Sequence, residues 1–504
     1  MKNLVILGGG TAGWLTALYL KKQFSDNNII VIEDPKRPPI IAGESGGASL
    51  VGLYKFLGIN LNEWIVETSA LPKLGGKFFD WNGPGTSFTH GLIDRDYDKD
   101  YSVRFPALTG INREFLSCAL ANNIPVEDLF YNSALINANK LPIVLNEVTG
   151  SYDAIDTPMW HFDSRANAAY LKKLGLEKGI TLIEGEYLTC EKADNGSLYS
   201  ISLDTGEKIY GDWFFDCSGF SRLLLDKEMG VEFHDYSKLF PARSVVGWWN
   251  DDSKLINYTA VTAMKYGWSW NINLKNRSGN GYVFDPDHIT VEQAIAEAEE
   301  KFNTKIEPVA KLNFVPSLAK ECWKNNVIAI GLSSGFLEPL ESNGLAQVSI
   351  QLELLEKYWN PESVTDLEIK LFNRYFSSAM DEILNFLLLH YKGNRRDTDF
   401  WCNHHIQFKT TTQFLGERMA SWREGGFFGD QPAMQIYSLE SYFAVIKGLN
   451  LVDCEKLKSK LLARRSNILQ DFTETHKQLH NKINWIVEKS MTMDEWYKRT
   501  YGEL

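Results

Sequence analysis

The sequence predicts an α/β protein whose central parallel sheet is assembled from separated chain segments. Two observations carry that expectation. First, the chain opens as strand, helix, strand. Residues 3–7 (NLVIL) and 29–33 (IIVIE) are unbroken apolar runs, the pattern of strands buried on both faces, and residues 11–24 between them read as a helix. Second, two similar runs recur far downstream and end in glycine turns: Asp212 to Gly219 (DWFFDCSG) and Asn326 to Gly331 (NVIAIG), the latter followed by a helix from about Gly344 to Trp359. Parallel strands cannot be joined by a hairpin, so such separated runs read as one sheet with other structure inserted between its strands.

The expected organisation follows. Residues 1–81, 159–235 and 319–360 form a discontinuous nucleotide-binding module. Residues 82–158 and 236–318 form an α+β layer covering it, and residues 361–504 form a mostly helical C-terminal region. Amphipathic helices are expected there from Leu367 to Leu389 and from Cys454 to Ser490.

Composition narrows the function classes. Apolar residues make up 44% of the 504, a globular value. The net charge is −12 with no Lys/Arg run, which argues against nucleic acid or an anionic membrane as partner. No stretch approaches the roughly 18 apolar residues of a spanning helix. The opening apolar run is too short for a signal peptide before it meets Gly8-Gly9-Gly10. Six cysteines, none in a C-x-x-C pair, fit reduced thiols in a cytoplasmic protein. Fifteen tryptophans suit either a large core or an aromatic pocket.

Gly8-x-Gly10-x-x-Gly13 lies between the first strand and the helix, and Glu33 ends the next strand about 20 residues on, the spacing of a dinucleotide fingerprint. Gly8 permits the tight turn, Gly10 lets a pyrophosphate approach the backbone, and Gly13 lets helix and strand pack closely. The helix amides, with Thr11 and Ala12 in the first turn, face the phosphates. Glu33 accepts from ribose hydroxyls. The motif alone leaves FAD and NAD both open.

Three further segments bear on the cofactor: Gly331 to Leu345 (GLSSGFLEPLESNGL), Gly267 to Leu274 (GWSWNINL) and Ala70 to Trp81 (ALPKLGGKFFDW). With the glycine turn they resemble the flavin-dependent halogenases of the tryptophan halogenase type. That family carries a Trp-x-Trp-x-Ile-Pro segment, a lysine before an aromatic-rich strand and a Glu-Pro-Leu-Glu-Ser-Thr-Gly segment. The resemblance extends over Trp160 to Asp163, Asp216 to Phe220, Gly281 to Val283 and His390 to Trp401, and thins after about residue 430. It implies a Rossmann-like FAD-binding module of the flavin monooxygenase type. Two residues depart from the pattern: Asn273 replaces the family's Pro, which loosens the wall of a tunnel, and Asn343 replaces its usual Thr, which alters the halide site.

The resemblance implies FAD used as FADH2, supplied by a separate NAD(P)H-dependent flavin reductase, with halide and molecular oxygen as co-substrates. Hypohalous acid then passes through a tunnel to a small aromatic substrate. Lys73 corresponds to the lysine at the substrate end, where its ammonium polarises hypohalous acid or its amine forms a haloamine. The bland alternative is a solvated lysine in a Pro-Lys-Leu-Gly-Gly loop. Glu341 corresponds to the carboxylate that orients the halogenating species or takes the ring proton, with helix capping as the alternative. Ser342 hydrogen-bonds that species. Asn343 and Gly344, at a helix start, make a halide cradle. Gly43 and Glu44 correspond to a mobile flavin loop, and Leu332 and Leu345 to further flavin contacts.

Trp268 and Trp270 alternate on one strand and so share a face, where two indoles separate substrate from flavin. From spacing alone a core pair is the simpler reading. No metal is expected: His404 and His405 beside Cys402 lack a second ligand pair, and His476 and His480 read as a surface helix. Arg395, Arg396 and Asp397 read as surface or inter-helix ion pairs.

The expected product is a halogenated indole or phenol, because electrophilic substitution needs an electron-rich ring. Bromide and iodide, which oxidise more easily, are favoured over chloride. Two other readings stay open: an aromatic hydroxylase, and a flavin-binding protein without catalysis. A homo-oligomer also stays open.

Overall fold

The computed structural model describes residues 1–37, 45–91, 113–406, 411–426 and 436–502. They divide into two compact units, one of Met1–Ala70, Phe162–Phe240 and Phe314–Asp381, the other of Leu71–His161, Pro241–Asn313 and Glu382–Leu504.

The first unit holds the parallel sheet. Its strands run, edge to edge, Thr181–Glu184, Asn28–Glu33, Asn3–Leu7, Trp213–Asp216, Val327–Ala329 and Trp323–Lys324. The first five are parallel and the last is antiparallel. Leu7 is in register with Asp216, and Asp216 with Ala329. Three loops therefore leave the sheet side by side from the carboxyl ends of their strands, where open α/β sheets bind ligands. The helix Thr11–Gln23 follows the first strand and is buried from Gly13 to Tyr19 and Leu20, with Lys21 and Lys22 at its negative end. Gly175, on the helix Ser164–Glu177, lets that helix pack flush on Trp14: a Cβ there would lie 2.6 Å from the indole.

The second unit is built on a seven-stranded sheet in the order Pro308–Asn313, Ser244–Asn250, Ser278–Phe284, Gly267–Asn273, Thr259–Met264, Gly75–Phe79, Ser87–Gly91. One face is closed by the helix Val291–Phe302, whose fully buried Ala294 and Ala298 pack on Val246, Tyr282 and Phe284. Among the described residues, no helix is long and apolar enough to cross a membrane.

The unit edges differ from the expected ones for a reason of strand pairing. Gly76 to Phe79 pair in parallel with Thr259 to Thr262, and Leu71 to Lys73 pair with Met159 to His161, so residues 71–81 and 159–161 fall in the second unit. Residues 382–504 belong to that unit too, where the strand Ser490–Thr492 pairs with Lys140–Leu145. The helix expected from Cys454 to Ser490 is two helices, Cys454–Arg464 and Ile468–Lys489. Arg465 is extended (φ −153°, ψ 112°), and Asn467, the N-cap of the second helix, makes no side-chain capping bond but donates from Nδ2 to the Asp471 carboxylate at 3.2 Å.

Candidate active site

Each unit carries its own share of the predicted residues. In the first, the glycine turn has the geometry its chemistry needs. Gly8 has φ +126°, and a Cβ there would sit 2.2 Å from the Cys217 carbonyl oxygen. A Cβ on Gly13 would sit 1.8 Å from the Gly8 oxygen. Around Gly10, in contrast, a Cβ would meet nothing within 4 Å. Gly10 is the N-cap of the helix and no side chain caps it, while Trp14 N donates to Gly10 O at 3.0 Å. The amides of Thr11, Ala12 and Gly13 precede that first bond and have no intrahelical acceptor. Open space before three amides at the positive end of a helix dipole fits a pyrophosphate.

Glu33 lies against this turn, because a Cβ on Gly9 would come within 2.6 Å of its carboxyl carbon. Lys172 pairs with Glu33 at 2.7 Å. Buried Asn167 accepts from Tyr54 Oη at 2.6 Å and Trp64 Nε1 at 2.8 Å and donates to Thr11 Oγ1 at 3.4 Å. Gly43 and Glu44 lie outside the described residues.

The third loop of the sheet edge is braced from the helix Asn343–Tyr358. Gln351 Oε1 accepts from Gly331 N at 2.8 Å, and its Nε2 donates to Ala329 O at 2.8 Å and Ser334 Oγ at 3.0 Å. Gln347 Nε2 donates to Gly331 O at 2.9 Å and Ser334 Oγ at 2.7 Å. Leu332 and Leu345 are half-buried on this loop and helix. Between them the chain passes through buried Glu338 to two consecutive left-handed residues, Glu341 (φ 62°, ψ 16°) and Ser342 (φ 58°, ψ 34°). Neither is glycine, and such a pair stores strain of the kind found at functional sites. Ser342 is the N-cap, but its side chain makes no capping bond. Asn343 is buried and its Nδ2 donates to Leu340 O at 2.6 Å, while a Cβ on Gly344 would meet nothing within 4 Å.

In the second unit, Lys73 is 3% exposed, on a strand rather than in a solvated loop. Leu71 faces His161 and Lys73 faces Met159 across the pair, so Lys73 and His161 lie on one side of it. His161 is fully buried, with Nε2 2.7 Å from Thr259 Oγ1. Burial first, and the Lys73 charge second, hold its pKa well below the ordinary histidine value, against an opposing bond to the Asn273 backbone. The imidazole is therefore neutral beside the lysine.

Trp268 and Trp270 share a face of the strand Gly267–Asn273, with ring centroids 5.9 Å apart. Trp268 is 2% exposed and lies 6.5 Å from Trp81, which also contacts Tyr391 and Trp401, so it belongs to an aromatic core. Trp270 is half-buried and rests over Gly281, where a Cβ would be 2.1 Å from the indole.

A family profile described as tryptophan halogenase matches residues 3–464. The chain belongs to the tryptophan halogenase family. It is 30% identical over 490 residues, 90% of each chain, to the tryptophan 6-halogenase ThaL of Streptomyces albogriseolus. It is 27% identical over 533 residues, 99% of each chain, to the tryptophan 7-halogenase RebH of Lentzea aerocolonigenes. The crystal structure of the tryptophan 6-halogenase SttH from Streptomyces toxytricini superposes with a TM-score of 0.85 at 26% identity, over 98% of this chain and 99% of that one. As a member of the family of flavin-dependent halogenases, this protein is an oxidoreductase, and its mixed α/β architecture is theirs.

The departures of this halogenase from its family pattern acquire physical content. Asn273 is buried, its Oδ1 accepts from Lys254 N at 2.8 Å and its Nδ2 donates to Asn271 Oδ1 at 2.8 Å. Asn271 in turn donates to Asn280 at 2.7 Å. This amide network, which a proline would lack, ties the end of the strand Gly267–Asn273. At the other departure, the Asn343 carboxamide donor is committed to Leu340 O. The cysteines of the described residues are free thiols. Arg395, expected in a surface or inter-helix ion pair, does pair with Asp397 at 2.7 Å, but it is only 7% exposed and also donates to Ala263 O at 2.8 Å. The side chains of His404 and His405 lie outside the described residues.

Sequence reasoning missed Asn167, Lys172, Gln347 and Gln351. Gln347 and Gln351 carried a signal: two amides one turn apart, between apolar residues, on a helix face that must be buried. Lys172 and Asn167 carried none, because their partners are distant in the chain.

Proposed function

We propose that this protein is an FADH2-dependent halogenase acting on tryptophan or a similar electron-rich indole or phenol, with bromide or iodide preferred over chloride. The observation that carries the reading is Lys73, a lysine buried on a strand beside a histidine held neutral. Desolvation strengthens what an ammonium does to a neighbouring polar molecule.

FAD, when bound and reduced, supplies with oxygen the oxidation of halide to an electrophilic halogen. In this reading the amides of Gly10, Thr11, Ala12 and Gly13 hold its pyrophosphate, Gly8 shapes the turn and Glu33 binds ribose. Leu332 and Leu345 contact the flavin. The helix start at Asn343 and Gly344 attracts halide through its backbone amides. Lys73 donates a hydrogen bond to the oxygen of hypohalous acid and makes its halogen more electrophilic. Glu341 accepts the proton released from the ring carbon, and Ser342 donates to the halogenating species. Trp268 and Trp270 wall the passage. In the cytoplasm, a separate NAD(P)H-dependent flavin reductase supplies this protein with reduced flavin. The tryptophan assignment is supported by relatives named for tryptophan at 30% and 27% identity. The preference for the heavier halides rests on their easier oxidation and on Asn343 standing at the cradle in place of the family's Thr.

The test supplies the protein with FAD, a flavin reductase, NADH and oxygen, and offers chloride, bromide and iodide separately against a panel of indoles and phenols. Mass spectrometry is expected to find halogenated tryptophan or a related indole, most with bromide or iodide. Lys73→Ala abolishes the product and Glu341→Gln reduces it strongly. Product carrying oxygen instead would make the protein a hydroxylase, and halogenation undiminished in Lys73→Ala would remove the proposed mechanism.

A further inference from the structure

His476 and His480 lie one turn apart on the helix Ile468–Lys489, so their imidazoles share a face. The short helix Val126–Asp128 in the same unit brings a carboxylate to them. One ligand atom from each of Asp128, His476 and His480 lies within 4.8 Å of the other two. His480 Nδ1 is 3.3 Å from Asp128 Oδ1. Ligand atoms about 2.0–2.1 Å from a tetrahedral metal are about 3.3 Å from each other, so this edge already has coordination spacing. His476 is the third corner, its ligand atom within 4.8 Å of the other two.

His476 Nε2 is sealed from solvent and has no hydrogen-bond partner among the described residues. A buried ring nitrogen without a partner is costly unless something binds it. The ring is positioned by stacking on Phe472, at 5.5 Å and 8°, and Phe472 packs on Phe115 at 4.9 Å. His480 Nδ1 is sealed in the same way and has no hydrogen bond among the described residues, while the side chains of His480 and Asp128 keep 38% and 31% of their surface exposed.

We propose that Asp128, His476 and His480 bind one divalent transition-metal ion of the zinc class, with water as the fourth ligand. Two imidazoles and one carboxylate favour zinc, nickel or copper over magnesium or calcium, which prefer oxygen ligands throughout. The ion joins the long helix near the chain's end to residue 128. It adds stability by mass action, because the unfolded chain cannot assemble the three ligands. His476 and His480 lie beyond residues 3–464, which the family profile matches, and none of the three ligands is among the residues assigned to halogenation above.

The experiment uses untagged full-length protein dialysed against EDTA and then freed of chelator. Zinc is titrated by calorimetry, and Co2+ by its visible absorption. The wild type is expected to take up one equivalent, to develop the cobalt bands of a nitrogen and oxygen site, and to melt at higher temperature with zinc. His480→Ala and Asp128→Asn, both at the solvent edge, lose affinity about tenfold or more and lose the zinc-dependent rise in Tm, while FAD binding stays unchanged. No stoichiometric uptake by the wild type, or equal affinity in both variants, overturns the proposal.

Discussion

Lys73 and His161 lie on one side of the same antiparallel strand pair, and the charge of the lysine helps keep the buried histidine neutral. The unfolded chain protonates that histidine near 6.5 and the folded chain does not. Protons taken up only on unfolding favour the unfolded state. Stability from this group is therefore fully present above about pH 6.5 and is lost as the pH falls below it. His161→Gln is expected to flatten that slope, so its Tm falls less than the wild type's between about pH 7.5 and 5.5. In Lys73→Met, NMR titration of the imidazole should show His161 moving up toward its ordinary pKa. Equal acid sensitivity of His161→Gln and wild type would remove the relationship.

Two glycines of the turn separate folding from cofactor binding. A Cβ on Gly13 would strike the Gly8 carbonyl, whereas one on Gly10 would meet no protein atom. Gly13→Ala is expected to disrupt the unit, seen as loss of soluble protein or of cooperative melting. Gly10→Ala keeps the wild-type Tm without flavin but loses FAD affinity, read by flavin fluorescence, because its methyl enters the phosphate space.

The brace on the third loop predicts a non-additive pair. Gln351→Leu strands the Gly331 amide and is expected to cost about 1–3 kcal/mol in chemical denaturation. Gln347→Leu falls in the same range. Both glutamines donate to Ser334 Oγ, so the double variant should lose less than the two losses added together. Simple additivity would mean the two act separately.

The left-handed backbone at Ser342 predicts a contrast between substitutions. Ser342→Gly relieves the strain but frees the unfolded chain, two effects of about 1 kcal/mol each that nearly cancel. Ser342→Val places a β-branched residue at φ 58° and is expected to lose about 1–2 kcal/mol. Equal melting of the two variants would mean that the turn carries no strain.

Much of the candidate site was legible because it is written in local rules. The opening strand, helix and strand appear as Asn3–Leu7, Thr11–Gln23 and Asn28–Glu33, within a residue of their expected bounds. The glycine spacing has the steric content its motif implies. The shared face of Trp268 and Trp270 follows from the two-residue period of a strand. What was illegible depends on pairing across the chain. The strand Gly75–Phe79 reads alike wherever it pairs, and only Thr259–Thr262 beside it assigns it to the second unit. Asp128 gave no sign of lying beside His476 and His480, which on their own helix look like a polar surface.

By itself the sequence determined the opening strand, helix and strand, the glycine spacing of the turn between them and the resemblance that names the chemistry. Backbone sterics and side-chain periodicity act over a few residues, and both can be read in order along the chain. Tertiary structure alone decided that Lys73 is buried, that His161 beside it is neutral, that Glu33 is paired with Lys172, and that Asn273 ties the end of its strand. Burial and charge are sums over neighbours in space, and those neighbours come from residues far apart in the sequence.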